Sequence, residues 1–381
     1  MRTLAPFLAA LALAAACADP PPPLPPRSPV KAPAALAPPA PVDAPPAPLA
    51  SAAPVAEPIK QIAYDGKAMG TTVKILTFTS PLVDEARATK AVLDAFAEFG
   101  RLEQLQSTWI ASSEVSRINA AAGREAIAVG PDTARVIEES LWIASKSDGV
   151  FDITFEAMKG LWKFDEGAED RIPTRAAIEG ARRHIDWRNI LFDKAAGTVK
   201  LRKPETRINL GGIAKGYAVD AASRILEQAG LRAYFVQAGG DLYVRGRKPD
   251  GSRFRVGIRD PRGKNAWDYF AMIEVEDHAF STAGDYERSF LKDGKRYHHI
   301  LDPRTGYPAT AARSVTLWAK DALTADAIDD AVFILGKERG LALVDSVEDA
   351  GAVIVDAQNG VTISRRLEGL VTVTRPPTDG I

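Results

Sequence analysis

The chain is predicted to adopt an α+β fold. Three observations point there. Short β-rich runs are broken by glycine turns, apolar residues recur at helical spacing between them, and the two do not alternate in the regular rhythm of a parallel βαβ sheet. The sequence shows no repeat and no clean internal boundary, so residues 59–381 are read as one domain of mixed strands and helices.

The elements follow in order. Residues 71–78 are rich in β-formers, as a strand should be. Residues 84–105 place Val92, Phe96, Phe99 and Leu102 at helical spacing, with Leu93 beside the same stripe. Residues 133–145 and 214–228 read as two more amphipathic helices, the second stopped by Gly230. Residues 234–236, 242–244 and 254–258 are short strands between glycine turns. Residues 326–335 form a helix closed by Gly336, and residues 352–355 and 361–364 a hairpin across Asn359-Gly360.

The N-terminus is expected to be an export signal. Arg2 supplies a positive start, residues 4–16 form an apolar stretch too short to span a bilayer, and Ala14-Ala15-Ala16 lead directly to Cys17. The pattern resembles a bacterial lipoprotein signal over residues 1–16, with Leu13 one place further from the cysteine than usual; the alternative is a plain secretory signal. Lipidated Cys17 would anchor the chain in a bacterial cell membrane, facing the periplasm. Residues 17–58, rich in proline and alanine, would be a semi-rigid tether.

Composition removes several function classes. The 46% hydrophobic and 25% charged content is that of a globular protein. A formal net charge of -1, with no Lys/Arg-rich run, gives no case for a nucleic-acid partner. The single cysteine allows no intramolecular disulfide and no cysteine-based structural zinc site.

Four segments carry candidate chemistry. Residues 209–217 place Gly211-Gly212 ahead of a helix whose first amides, with Lys215, can face a phosphate; read alone, the segment is equally a glycine turn before a surface helix. Asp326, Asp329 and Asp330 fall on one helical face, suited to a hard cation such as Mg²⁺ or else to a solvated acidic first turn. In residues 297–306, His298 and His299 point to opposite faces if the backbone is extended, so at most one enters a given site; the other reading is a structural histidine before an Asp-Pro turn. Residues 281–288 read alone as a polar turn held by Glu287 and Arg288.

Together the segments resemble the ApbE family of FAD:protein FMN transferases. The matches run in the family's order: Met69-Gly70-Thr71-Thr72, Ser107-Thr108-Trp109, residues 113–119, Gly149 to Thr154, Leu161-Trp162, the 211–216 turn, Gly239-Gly240-Asp241, residues 257–261, 282–288 and 299–306, and the acidic helix. The resemblance implies that Met69, Trp109, Val150, Phe151 and Asp152 line the flavin and adenine pockets. It implies FAD contacts from Asn209, Lys215 and Ile300, and Mg²⁺ held by the Gly212 carbonyl with Asp326, Asp329 and Asp330. His299 is the histidine expected at the pyrophosphate. Three residues depart from the family pattern: Trp109 where tyrosine is common, Asn209 where aspartate is common, and Asp330 where threonine is usual.

The activity so implied is Mg²⁺-dependent transfer of FMN from FAD to a Thr or Ser hydroxyl of an acceptor protein, releasing AMP. Expected acceptors are exported proteins carrying a flavinylation motif, for example subunits of Rnf-type or sodium-pumping NADH:quinone oxidoreductase complexes, or other flavin-carrying exported proteins. Two alternatives stand beside it: an FAD pyrophosphatase giving FMN and AMP, and a flavin-binding lipoprotein without chemistry. An acidic metal site argues against binding alone.

Overall fold

A computed structural model describes residues 58–380 except 165, 166, 168 and 169; the expected signal, Cys17 and nearly all of the tether lie outside the described residues. Residues 56–381 form one compact unit.

The centre is an eight-stranded sheet in which every neighbouring pair is antiparallel. Its order in space is Gln61–Ala68, Thr71–Phe78, Tyr234–Ala238, Asp241–Arg245, His278–Gly284, Ala312–Ala319, Gly351–Asp356 and Val361–Ile363. Alternation sorts the side chains: Val73, Ile75 and Val236 join the helical layer, while Lys74, Leu76, Phe78 and Phe235 face the other way.

Among the described residues six α-helices follow in chain order: α1 (Glu85–Gln106), α2 (Glu114–Ala120), α3 (Pro131–Lys146), α4 (Arg175–Arg182), α5 (Ala214–Gln228) and α6 (Ala322–Asp345). Asp84 caps α1 by accepting from the Arg87 N–H at 2.8 Å. In α1 the stripe Val92, Phe99 and Leu102 is buried, whereas Leu93 is turned to solvent at 48% exposure and does not share that face. Among the described residues, no helix is long and apolar enough to cross a membrane.

α6 lies at the centre. Ala325, Ile328, Val332 and Phe333 are fully buried, so it is apolar nearly all round, as an enclosed helix must be. It packs on α5 and on the Ala312–Ala319 strand. It starts at Ala322, capped by Asp321, which moves the acidic run from the first turn into the second. Gly336 breaks it at φ 73°, after which a shorter helical stretch runs to Asp345. On the opposite side of the sheet, a three-stranded sheet (Phe254–Arg259, Tyr269–Val275, Val371–Val373) builds a second core with Val244, Phe280 and Trp318.

The C-terminal hairpin is present, but its loop is longer than a two-residue turn. Asp356 N–H donates to the Gly360 carbonyl at 2.9 Å, and Asn359 takes the left-handed conformation at φ 66°.

Candidate active site

One cavity of about 1770 Å³ opens where the Gly239-Gly240 turn, the starts of α5 and α6 and the Met69 turn converge. Its wall includes every site residue named from the sequence: Met69, Trp109, Val150, Phe151, Asp152, Asn209, Gly212, Lys215, His299, Ile300, Asp326, Asp329 and Asp330.

The first wall is apolar and aromatic. Ala68 pairs with Thr71, so Met69 and Gly70 form a two-residue hairpin turn, both with positive φ (50° and 71°). A methionine is unusual there, because its side chain clashes with its own backbone in this region. Trp109 is 85% exposed at the mouth, with Lys159 Nζ 4.5 Å from the ring centroid, so a broad aromatic face is open to a ligand ring. Val150 and Phe151 are nearly enclosed and contribute edges only.

Asp152 and Asn209 shape this wall. Asp152 accepts from the Thr154 N–H (2.8 Å), the Thr154 hydroxyl (2.6 Å) and the Trp187 N–H (2.8 Å). Burial outweighs these bonds and pushes its carboxyl up to about 6. Asn209 bridges two elements: its amide donates to Glu156 Oε2 at 2.7 Å, and its oxygen accepts from the Gly211 N–H at 2.7 Å. An ionised aspartate here would face the Glu156 carboxylate with no proton to give.

The second wall is charged. Gly216 lets α5 and α6 touch: a Cβ there would lie 2.3 Å from the Ala322 carbonyl oxygen and 2.7 Å from Asp326 Cβ. Asp220, one turn along α5, accepts the Ala322 and Leu323 N–H groups of α6, each at 2.9 Å. This contact sets Asp326 against the start of α5, where it accepts the Gly216 N–H at 2.8 Å. Lys215 Nζ lies 3.5 Å from Asp326 and 3.1 Å from Asp241.

Asp241, Asp326 and Asp329 each place a carboxylate oxygen within 4.8 Å of the others, and all three are buried. Asp330 reaches toward Gly212, its Oδ2 3.4 Å from where a Gly212 Cβ would be. Asp241 does not stand out in the sequence as a site residue; the signal for it is a carboxylate directly after two glycines, where the backbone can bring it close to another element. Ser281 Oγ lies 2.5 Å from Asp241 Oδ1 and 2.6 Å from Asp329 Oδ2, yet a hydroxyl has one proton to donate.

Charge follows this crowding. Burial and Asp241 push Asp326 up to about 7 against the pull of Lys215. Burial, with Asp330 and Asp326, lifts Asp329 well above the carboxylate range, and burial lifts Asp330 to about 6. Burial alone would depress the Lys215 ammonium, but Asp241, Asp326 and Asp329 hold it above the ordinary lysine value. Four carboxylates thus share one ammonium. The donor set is all oxygen and short of positive charge, which fits a hard divalent cation.

The histidines divide: His298 ends the strand Lys295–His298 and His299 lies in the bend that follows. His298 is buried, its Nε2 2.8 Å from the Ala309 carbonyl oxygen and its ring edge-on to Phe333. His299, next along, is open to the cavity. Desolvation by the surrounding cavity wall, then His298 and the Arg288 and Lys215 charges, lowers its pKa; the side chain's access to solvent moderates that desolvation, and the direction favours the neutral ring.

The fold and cavity define an α+β protein that sets aromatic surfaces and a lysine beside a buried carboxylate cluster. The chain belongs to the ApbE family, whose family model matches residues 69–354. It is 30% identical over 306 residues to a Vibrio cholerae FAD:protein FMN transferase, covering 80% of this chain and 90% of that one. A Klebsiella pneumoniae protein of the same name is 33% identical over 285 residues, covering 74% and 80%. Among solved structures, the ApbE protein of Thermotoga maritima superposes with TM-score 0.72 at 35% identity, covering 82% of this chain and 99% of that one. The flavin transferase ApbE of Vibrio cholerae gives 0.73 at 28%, covering 82% and 100%.

Proposed function

We propose that this chain is an enzyme that moves FMN from FAD to a Thr or Ser hydroxyl of an acceptor protein and releases AMP. The observation that carries this reading is the single cavity joining open aromatic surface, Lys215, His299 and the carboxylate cluster, in a chain whose family relatives bear the name FAD:protein FMN transferase.

The acceptor oxygen attacks the FMN phosphorus, a new P–O bond forms, and the P–O bond to AMP breaks. The hydroxyl proton is released and the electron pair of the broken bond leaves on the AMP phosphate. Trp109 and Met69 hold ring surfaces of FAD. Lys215, ionised at working pH, lies where the first amides of α5 open and draws the pyrophosphate there. His299, neutral, donates one ring N–H to a phosphate oxygen and holds it in line for attack. Asp326, Asp329, Asp330 and the Gly212 carbonyl would hold Mg²⁺, with Asp241 as a further neighbour. Bound there, it would neutralise phosphate charge as a Lewis acid.

The expected acceptors are exported subunits of Rnf-type or sodium-pumping complexes, reached from a lipid anchor at Cys17 on the periplasmic side. The test is incubation with FAD, Mg²⁺ and such a subunit, read by in-gel flavin fluorescence and mass. A flavin-bearing Thr or Ser with AMP released, and loss of both with EDTA, is the expected result. Free FMN with every acceptor unlabelled would make the chain a pyrophosphatase instead. Bound but unaltered FAD would make it a binding protein.

A further inference from the structure

The cavity is larger than one small ligand requires. Its 1770 Å³ compares with roughly 300–1,000 Å³ for an ordinary small-molecule pocket. The chemistry assigned above occupies the end at Met69, Asn209, Lys215 and the carboxylates. The remainder passes the Gly239-Gly240 turn onto the other face of the large sheet.

That arm has a distinct floor. Lys74 pairs with Gln237, Leu76 with Phe235, and Phe235 with Val244, so these side chains share one face. The three-stranded sheet covers this face only in part: Val244 is buried, while Leu76, Phe78, Phe235 and Leu242 are only partly covered. From Thr72 to Phe78 the floor runs six residue steps along one strand, about 20 Å at ~3.3 Å per residue. Trp267 stands at the rim, 70% exposed, with Lys74 Nζ 5.2 Å from its ring. Lys74, Lys248, Arg255 and Arg259 line the arm with two carboxylates, Asp250 and Glu287, the second paired to Arg259 at 2.9 Å; Asp65, beside the arm, lies 3.8 Å from Lys74.

We propose that this arm is the docking groove for the acceptor protein, receiving in extended form the segment that carries the hydroxyl. The inference rests on the transferase reading above. Group transfer requires the hydroxyl within reach of the phosphorus, and this arm is the part of the same cavity that the FAD-contacting residues leave open. An apolar floor one extended segment long takes alternate side chains, and the surplus of cations selects a segment with acidic residues beside its hydroxyl.

The test uses the full chain and a flavin-free acceptor subunit of an Rnf-type complex. The variants are Lys74→Glu with Arg255→Glu, and separately Trp267→Ala, all at solvent-accessible side chains. The acceptor KM is expected to rise about tenfold or more, with FAD affinity unchanged and kcat at saturating acceptor retained. A parallel loss of FAD affinity would make the arm part of the FAD pocket and overturn the proposal, as would an unchanged acceptor KM. A photo-crosslinking amino acid at position 267 should capture the acceptor at the segment bearing the modified residue; capture of residues 18–57 of this chain would overturn it too. A wild-type chain that labels no acceptor fails at an earlier step and sinks the transferase reading itself.

Discussion

At residue scale, the site carries conformational cost where a ligand is to be met. Met69 sits at φ 50° in a turn that favours asparagine or glycine, at a cost of about 1 kcal/mol. Nothing in the hairpin requires methionine, so its apolar side chain on the cavity wall is the reason to keep it. Met69→Asn should therefore raise the melting temperature and weaken FAD binding; thermal melts and flavin-fluorescence titration check both signs, and unchanged affinity would remove Met69 from the FAD site. The two histidines separate in a similar way. His299→Ala should lower kcat more than FAD affinity while leaving the melting temperature nearly unchanged. His298→Ala should do the reverse, because it opens a hole beside Phe333 and frees the Ala309 carbonyl. Equal losses of kcat with equal stability would contradict the assignment. This division was legible in the sequence as two adjacent residues facing apart, although His299 lies in the bend after the strand rather than on it. The bonding of Asp152 and Asn209 was not legible. Their partners, Trp187 and Glu156, lie 35 and 53 positions away in the chain.

At element scale, the α5–α6 contact decides the geometry of the cluster. Gly216 removes the side chain that would hold the helices apart, and Asp220 fixes the first two amides of α6. Gly216→Ala should force the helices apart, lowering stability by about 1–3 kcal/mol and raising the Mg²⁺ needed for half-maximal rate. Asp220→Asn keeps one acceptor oxygen in place of two and should give a milder form of both effects. A variant that loses stability but keeps the wild-type Mg²⁺ dependence would show that the clamp serves folding alone. The same scale explains which elements could be read. α1 and the Thr71–Phe78 strand show their periods because each has one face toward the core and one toward solvent or the cavity. The His278–Gly284 and Ala312–Ala319 strands are central, covered by helices on one face and by the second core on the other. Strands buried on both faces lose the polar–apolar alternation, so their sequences do not announce them. α6 was readable from Asp326 onward, but its first turn, residues 322–325, is short and alanine-rich, and its start is set by Asp321 and by Asp220 from another helix.

At the scale of the whole molecule, the cluster ties stability to pH and, if it holds the proposed Mg²⁺, should tie it to cation as well. In the folded chain Asp326 and Asp220 are raised to about 7 and Asp330 to about 6, while unfolded aspartates titrate near ~3.9. Between those values the folded state binds more protons than the unfolded one, so these groups make stability fall as pH rises through that window. His298 and His299 act oppositely, since their folded pKa values are depressed; their contribution rises with pH and is complete above the unfolded value near ~6.5. A measurement with and without cation at each pH largely cancels the histidines, because only the carboxylates bind it. A divalent cation in the cluster requires Asp326, Asp329 and Asp330 ionised and must displace their protons below pH 7, while Asp220, bonded to the α6 amides, takes no part in it. The rise in melting temperature caused by a fixed Mg²⁺ concentration should therefore be small at pH 5.5 and larger at pH 8. At a hundred times the dissociation constant it should correspond to about 2.7 kcal/mol. Asp330→Thr, which keeps an oxygen ligand but removes a charge, should shrink the Mg²⁺-dependent rise at pH 8 and raise the Mg²⁺ needed for half-maximal rate. Asp326→Ala should abolish the rise and the activity together. A Mg²⁺ effect equal at both pH values, or one that survives Asp326→Ala, would mean that the cation binds elsewhere and that Lys215 alone balances the buried carboxylates.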